Sequence, residues 1–359
     1  MRYTPIAYTK YLKGLNKTYL MSRQGKILDA LSVKSWDMAP GNTSITPKAY
    51  FLDGQLERIK AIIFTPDAVA IMKGGQTITN QPTRAYLLKD VWMLDGAIYK
   101  GLHRFVMHHH SKLKPSMYYF PSMVVDTEIN DATIYNTYDG HSYFFDWLVD
   151  DCCMYPLAAS EGVPVTSDLF SHADAPLYES VFEMNPVRTH RAYLKQAIFF
   201  DDDWGNNASK HERFMLHRSK LLAKFPNPKH PGVFILRGQT GVSRKLVNEL
   251  ELAQTLQDTY GFRIVDVAKQ SAAEIISACV GAQVIVGIEG SHMAHGLMVL
   301  EPETSILILQ PPHRFTAVLK LTADMAGIHY GFVVGIPKED GFYIAAEEVQ
   351  KTIALLPTT

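Results

Sequence analysis

The sequence predicts an α/β protein whose C-terminal part is a doubly wound parallel sheet of Rossmann type. Three observations carry this. After Gly232, short strand-type runs alternate with helical segments at short intervals, the pattern of a parallel sheet with helices on both faces. The runs VFILR (233–237), QVIVG (283–287) and SILILQ (305–310) are apolar nearly throughout, as strands buried on both sides are. Helix signals fall between them: Asn248 with Glu251 and SAAE (271–274) read as capping boxes, and Gly261 as a C-terminal stop.

Along the chain, RIKAIIFTPDAVAIM (58–72) and AYLLKDVWMLDGAIYKG (85–101) each hold two short β-branched or aromatic runs, with TPDA and LDGA as turns. Phe144, Trp147, Leu148, Cys152 and Tyr155 recur at helical spacing, which predicts a helix from Tyr143 to Ala159. FFDDDWGNNASKHE (199–212) and KFPNPKHPG (224–232) gather Asn, Asp, Gly and Pro and read as a linker. Beyond it come VFILR, a helix with Leu250, Ala253, Leu256 and Tyr260 on its apolar face, FRIVDV (262–267), a short helix and QVIVG. After Gly290 follow another helix, SILILQ, a helix near 313–326 and HYGFVV (329–334). The tail 343–357 is helical, with Ala345, Val349, Ile353 and Leu356 on one face. The expected boundaries are 1–200 for a first domain, 201–231 for the linker and 232–340 for a second, Rossmann-like domain. A terminal helix in 341–359 is expected to pack back on the first domain.

Composition narrows the function. The chain has 359 residues, enough for two domains, and 47% hydrophobic with 20% charged residues marks it as globular. Lys plus Arg (35) balance Asp plus Glu (36), so there is no overall basic field of the kind a nucleic-acid partner needs. Three cysteines, with Cys152 and Cys153 adjacent, make no disulfide framework and point to a reduced, cytoplasmic setting. The first 26 residues hold no unbroken apolar run, so no signal peptide is expected, and no apolar run approaches the ~20 residues that span a bilayer. Membrane contact is expected to be peripheral at most, at the inner face.

VIVGIEGSHMAHGLM (284–298) carries the chemistry. It places a glycine turn between a strand end and a helix start, where doubly wound sheets bind ligands. Gly287 and Gly290 let the backbone approach an anion, and the N–H groups from Ser291 onward favour a phosphate. LRGQTGVSRK (236–245) also follows a strand; its Arg237, Arg244 and Lys245 are either a solvated surface or cations facing that turn, where the planar fork of arginine suits a diphosphate. His292 and His295 contact a bound ligand or simply pack. Glu289, His292 and His295 also permit a metal reading, but the i, i+4 spacing of the metal-binding HExxH helix is missing. Asp201, Asp202 and Asp203 read as a solvated turn rather than a cation site, and His108, His109 and His110 as surface. No metal and no cofactor are expected.

Taken together, the pieces ILRG, VSRK, VNE (247–249), YGF (260–262), VIVGIEGSHM (284–293) and SILILQPP (305–312) resemble, in order and spacing, the catalytic domain of glycosyltransferase family 61. YFFDWLVD (143–150) is similar to that family's N-Y-Y-H-W-L-x-D segment. The family includes plant xylosyltransferases, the extracellular O-GlcNAc transferase and bacterial surface-polysaccharide enzymes. The resemblance implies a GT-B architecture of two Rossmann-like domains facing across a cleft, and an inverting transfer that needs no metal.

Two positions depart from the family. Glu289 and Asp146 stand where it has histidines, each keeping a group able to accept a proton. The expected catalytic residues are therefore Asp146 as base and Glu289 as second candidate, with Arg237, Arg244, Lys245, Gly287, Gly290, Ser291, His292 and His295 holding the donor. Expected partners are a nucleotide-sugar donor and a glycan or lipid-linked acceptor, in capsule or lipopolysaccharide synthesis; the sequence leaves the oligomeric state open. A non-catalytic sugar-nucleotide or glycan binder, and more remotely a metal-dependent hydrolase, are the rival readings.

Overall fold

The structure, a computed structural model, describes residues 24–94, 96–100, 103–105, 125–168, 172–202, 206–238 and 244–357. His108 to His110, Asp203 and the middle of the basic loop (239–243) lie outside them. The chain divides into two compact units, one of residues 1–42 and 81–213, the other of 43–80 and 214–359. Among the described residues no helix is long and apolar enough to cross a membrane.

The strands are β1 (Lys34–Ala39), β2 (Asn42–Ile45), β3 (Thr77–Asn80), β4 (Thr83–Leu94), β5 (Ala97–Lys100), β6 (His103–Phe105), β7 (Thr127–Ile134), β8 (Val163–Ser167), β9 (Val187–Thr189) and β10 (Arg191–Asp201). They continue with β11 (His230–Leu236), β12 (Arg263–Asp266), β13 (Ala282–Ile288), β14 (Ser305–Gln310), β15 (His329–Val334), β16 (Ile336–Lys338) and β17 (Gly341–Tyr343).

The first unit is built on a mixed sheet, order β6-β5-β4-β10-β7-β8-β9, with β1 also on β4. β10, β7, β8 and β9 run parallel, with helices between β7 and β8 and between β8 and β9, but β4, β5, β6 and β1 pair antiparallel. The expected Rossmann-like first domain is thus met on one side only. Local pattern explains why: TRAYLLKDVWML runs as a single long, mostly buried strand, and Gly96, at φ 75, turns it into a hairpin too short for any crossover helix. Leu88, Val91, Ile134, Val165, Leu194 and Phe199 form the core.

The second unit holds a wholly parallel sheet, order β12-β11-β13-β14-β15, the doubly wound pattern expected. Phe234, Leu236, Val286, Ile288, Leu307 and Leu309 fill it, covered by Leu252, Ala253 and Leu256 of the helix Glu249–Tyr260. That helix ends at Gly261 (φ 72), as expected, but Leu250 is 71% exposed rather than part of its face. Asn248 does not cap it; its side chain bonds the backbone of Ile344 instead. Ser271 and Glu274 do form the expected capping box.

Three further expectations are corrected. Residues 201–231 are no linker: they carry the helix Ala208–Lys224, anchored where Asn207 Oδ1 accepts the Lys210 N–H at 3.0 Å. Segment 58–72 holds no strand pair; Ile62 bridges Phe315, Tyr50 bridges Gly331, and Ala68–Lys73 is helical, so 43–80 builds onto the second unit. The terminal helix Ala346–Ile353 also belongs to the second unit. It buries Val349 and Thr352, and Glu348 grips Arg58 through two bonds of 2.5 and 2.9 Å.

Candidate functional site

In the parallel sheet the strand order reverses between β11 and β13, so the crevice beyond their C-terminal ends is the switch point at which doubly wound sheets take ligands. Arg237 leaves the end of β11, and Glu289 and Gly290 leave the end of β13. The two loops meet there. A Cβ built on Gly290 would fall on Arg237 Nη1, 2.9 Å from Arg244 Nη1 and 3.1 Å from His292 Nδ1. Only glycine leaves room for the two guanidiniums to close over the turn. Arg244 Nη1 lies 2.6 Å from Glu289 Oε2 and donates to the Glu289 carbonyl at 2.6 Å.

Glu249 fixes the other arginine. At the first turn of its helix it accepts the N–H of Arg237 at 2.7 Å and of Gly238 at 3.2 Å, which pins the loop at the strand end. Burial raises the Glu249 pKa, and these two amides oppose the shift by favouring the charged form. Glu249 thus fixes the start of the basic loop.

Electrostatics at the switch point are positive. Burial raises the Glu289 carboxyl above its ordinary range, while Arg244, Arg314 and Arg237 pull it back. Burial lowers Arg237, with Glu289 and Glu249 opposing, and pushes His292 well below its ordinary range, helped by Arg237, His295 and Arg244. His292 is therefore a neutral imidazole, and both its ring nitrogens are buried with no hydrogen-bond partner among the described residues. It can offer one donor and one acceptor to a ligand.

Not every expected donor residue stands at this point. Lys245 turns to Asp340 at 3.5 Å. Gly287 lies inside β13, where a Cβ would strike Met293 Sδ and sit 3.0 Å from Ile235 O; it serves packing, not an anion. Ser291 opens the turn Ser291–Met293, followed only by the four-residue helix Ala294–Leu297 that buries His295. So short a helix has little dipole, and the charge here comes from arginine. Arg314, in the loop after β14, was not found from sequence because it lies outside the motif. It acts on both Glu289 and Arg237, and its Nε is buried with no hydrogen-bond partner among the described residues.

Among the described residues no three His, Cys, Asp or Glu groups gather as a metal ligand set. Asp202 is held bidentately by Arg213 at 2.8 and 2.9 Å and accepts from Thr83. Burial pushes the thiols of Cys153 and Cys279 up to about 12, which removes them as nucleophiles.

In the first unit, the expected helix around Asp146 forms but is not uniform. Phe144–Asp146 runs into a π-helical turn, Trp147–Asp151, and then Cys152–Glu161. Such turns recur at functional sites, and periodicity in the sequence does not reveal them. Burial, with Asp150 and Asp139 nearby, holds the Asp146 carboxyl well above its ordinary range; Lys210, ion-paired to Asp150, opposes this. Asp151 is buried beneath Gly140 and accepts the Thr137 N–H at 2.9 Å.

A comparison with curated proteins gives no match. The model of one protein family, Glycosyltransferase 61, matches residues 61–307, which is more than half of the chain and takes in Asp146, Arg237, Arg244 and Glu289. The resemblance seen in the scattered sequence motifs is therefore a relationship, and the chain belongs to the glycosyltransferase 61 family.

Proposed function

We propose that the chain is an inverting glycosyltransferase of GT-B architecture that takes its sugar from a nucleoside diphosphate donor, with the diphosphate bound at the β11/β13 switch point. The observation that supports this best is the meeting of Arg237 and Arg244 over Gly290, with Arg314 acting on the same point. In glycosyl transfer, negative charge grows on the departing diphosphate. Fixed cations that cost no reorganisation stabilise that charge most. His292, neutral and unpartnered, is placed to bond a phosphate or sugar oxygen.

Asp146 is the base in this proposal, and Glu289 the second candidate. A carboxyl held above its ordinary range by burial accepts a proton more strongly, which is what removing the acceptor hydroxyl proton requires. The acceptor is a glycan or a lipid-linked glycan, in a surface-polysaccharide pathway at the cytoplasmic membrane face, without a metal. A second reading, a binder without turnover, draws on the pairing of Glu289 with Arg244, which commits that carboxylate to structure. The same pairing counts against Glu289 as a metal ligand in a hydrolase.

The test is turnover: purified protein is incubated with nucleotide sugars and lipid-linked or free glycan acceptors, with and without chelator. Product formation that survives EDTA, falls in Arg244→Ala and has inverted anomeric configuration supports the proposal. Tight donor binding with no product from any acceptor favours the binder.

A further inference from the structure

Segment 60–65 lies along the C-terminal edge of the parallel sheet. The N–H groups of Lys60 and Ala61 donate to Pro312 O, Phe315 N to Ala61 O, and Ile63 N to Phe315 O, so it is pinned to the loop after β14. At its end the Thr65 N–H donates back to Ile63 O at 2.6 Å, closing a γ-turn with Phe64 at its centre at φ 59. That left-handed form is rare, and rarer for a bulky side chain. Its effect is to hold Phe64 out, 64% exposed, with the guanidinium of Arg314 5.4 Å from its ring centroid.

A single exposed phenylalanine is ordinary on a protein surface. This one differs in three ways: the backbone is strained to present it, the strap is bonded to the ligand-binding edge, and Arg314 joins it to Glu289 and Arg237. A flat apolar ring next to a cluster of phosphate-binding cations matches a molecule with a planar base at one end and a diphosphate at the other.

We propose that Phe64 is the nucleobase platform of this site, stacking the base of a nucleoside diphosphate whose phosphates lie among Arg237, Arg244 and Arg314. The inference rests on the donor-site reading above and adds the residue that distinguishes a nucleotide from a bare diphosphate. Stacking tolerates any base, so Phe64 sets affinity for nucleotides as a class.

The test is calorimetric titration of the full chain with the diphosphates of uridine, guanosine, cytidine, adenosine and thymidine, and with inorganic pyrophosphate as the base-free probe. Variants are Phe64→Gly, Phe64→Tyr and Arg237→Ala. Glycine accepts φ 59 without strain, so Phe64→Gly keeps the fold, checked by an unchanged or higher Tm. The expected result is a loss of about tenfold or more in nucleoside diphosphate affinity for Phe64→Gly, near-normal affinity for Phe64→Tyr, and pyrophosphate affinity unchanged in both. Arg237→Ala should weaken both probes. An unchanged nucleotide affinity in Phe64→Gly, or an equal loss for pyrophosphate, overturns the platform and leaves the phosphate site standing. If wild-type protein binds neither probe, the donor-site reading itself falls.

Discussion

Arg244 holds both ends of Glu289: one guanidinium nitrogen, Nη1, lies 2.6 Å from the carboxylate and 2.6 Å from the main-chain carbonyl. Both side chains are more than nine-tenths buried. Removing the arginine strips a buried carboxylate of its ion-pair partner, a loss of up to about 3–5 kcal/mol that the remaining pull of Arg314 and Arg237 reduces. We expect Arg244→Ala to lose less than that at low pH, where Glu289 takes up a proton, and more as pH rises. Adding Glu289→Gln should restore most of the stability but not the nucleotide affinity. Urea unfolding of the two single variants and the double variant, from pH 5 to 8, reads this directly.

Gly287 and Gly290 stand three residues apart yet should fail differently. Gly287→Ala drives a methyl into Met293 and the Ile235 carbonyl, and overpacking of this kind costs about 1–3 kcal/mol. Gly290→Ala meets the far ends of two arginine side chains and also strains a backbone at φ 157, ψ 168 that glycine alone adopts readily. Thermal melts should show a loss in both variants, and nucleotide titrations the larger loss for Gly290→Ala. The reverse ranking would remove Gly290 from the site.

Glu249 touches no ligand in this account; it positions Arg237 through the backbone. Glu249→Gln keeps one acceptor and should cost a few-fold in diphosphate affinity. Glu249→Ala frees the strand end and should cost about tenfold or more. A structural role alone would lower Tm in Glu249→Ala without separating the two variants in affinity.

Two buried groups give opposite pH dependence. Burial pushes His141 down to about 4 from 6.5, so the unfolded chain binds more protons between these values and stability rises with pH across that window. The upper bound is roughly 3 kcal/mol. Burial raises Asp324 to about 6 from 3.8, against the pull of Lys320, so the folded chain binds more protons and stability falls as pH rises from 4 to 6. Denaturation from pH 4 to 7 should show His141→Gln losing a positive slope and Asp324→Asn losing a negative one.

Much of the second unit was legible because its strands are local signals, apolar runs closed by glycine or by caps such as Ser271 with Glu274. The Gly290 turn was legible for the same reason, and so were Arg237 and Arg244. What escaped depends on partners far away in sequence. Ile62 read as part of a strand run turning locally at TPDA, but its bridge is to Phe315, and Asn248 was drawn from its own helix to Ile344. Arg314 carries no pattern around it; only the fold brings it to Glu289. The π-turn at Trp147–Asp151 keeps the same apolar spacing as an ordinary helix, so periodicity is blind to it.

The placement of residues 43–80 in the second unit has a consequence for how a ribosome makes this protein. Tyr50 bonds Tyr330 and Phe332 across the edge of β15, and Arg58 meets Glu348, 290 positions on. The nascent segment must wait for these partners while residues 81–213 of the first unit and four parallel strands are synthesised. Such long-range closure makes folding slow and leaves an open strand edge meanwhile. A fragment cut at Phe214 would keep that edge bare for good, and we expect it to self-associate unless the strap is supplied as a separate peptide.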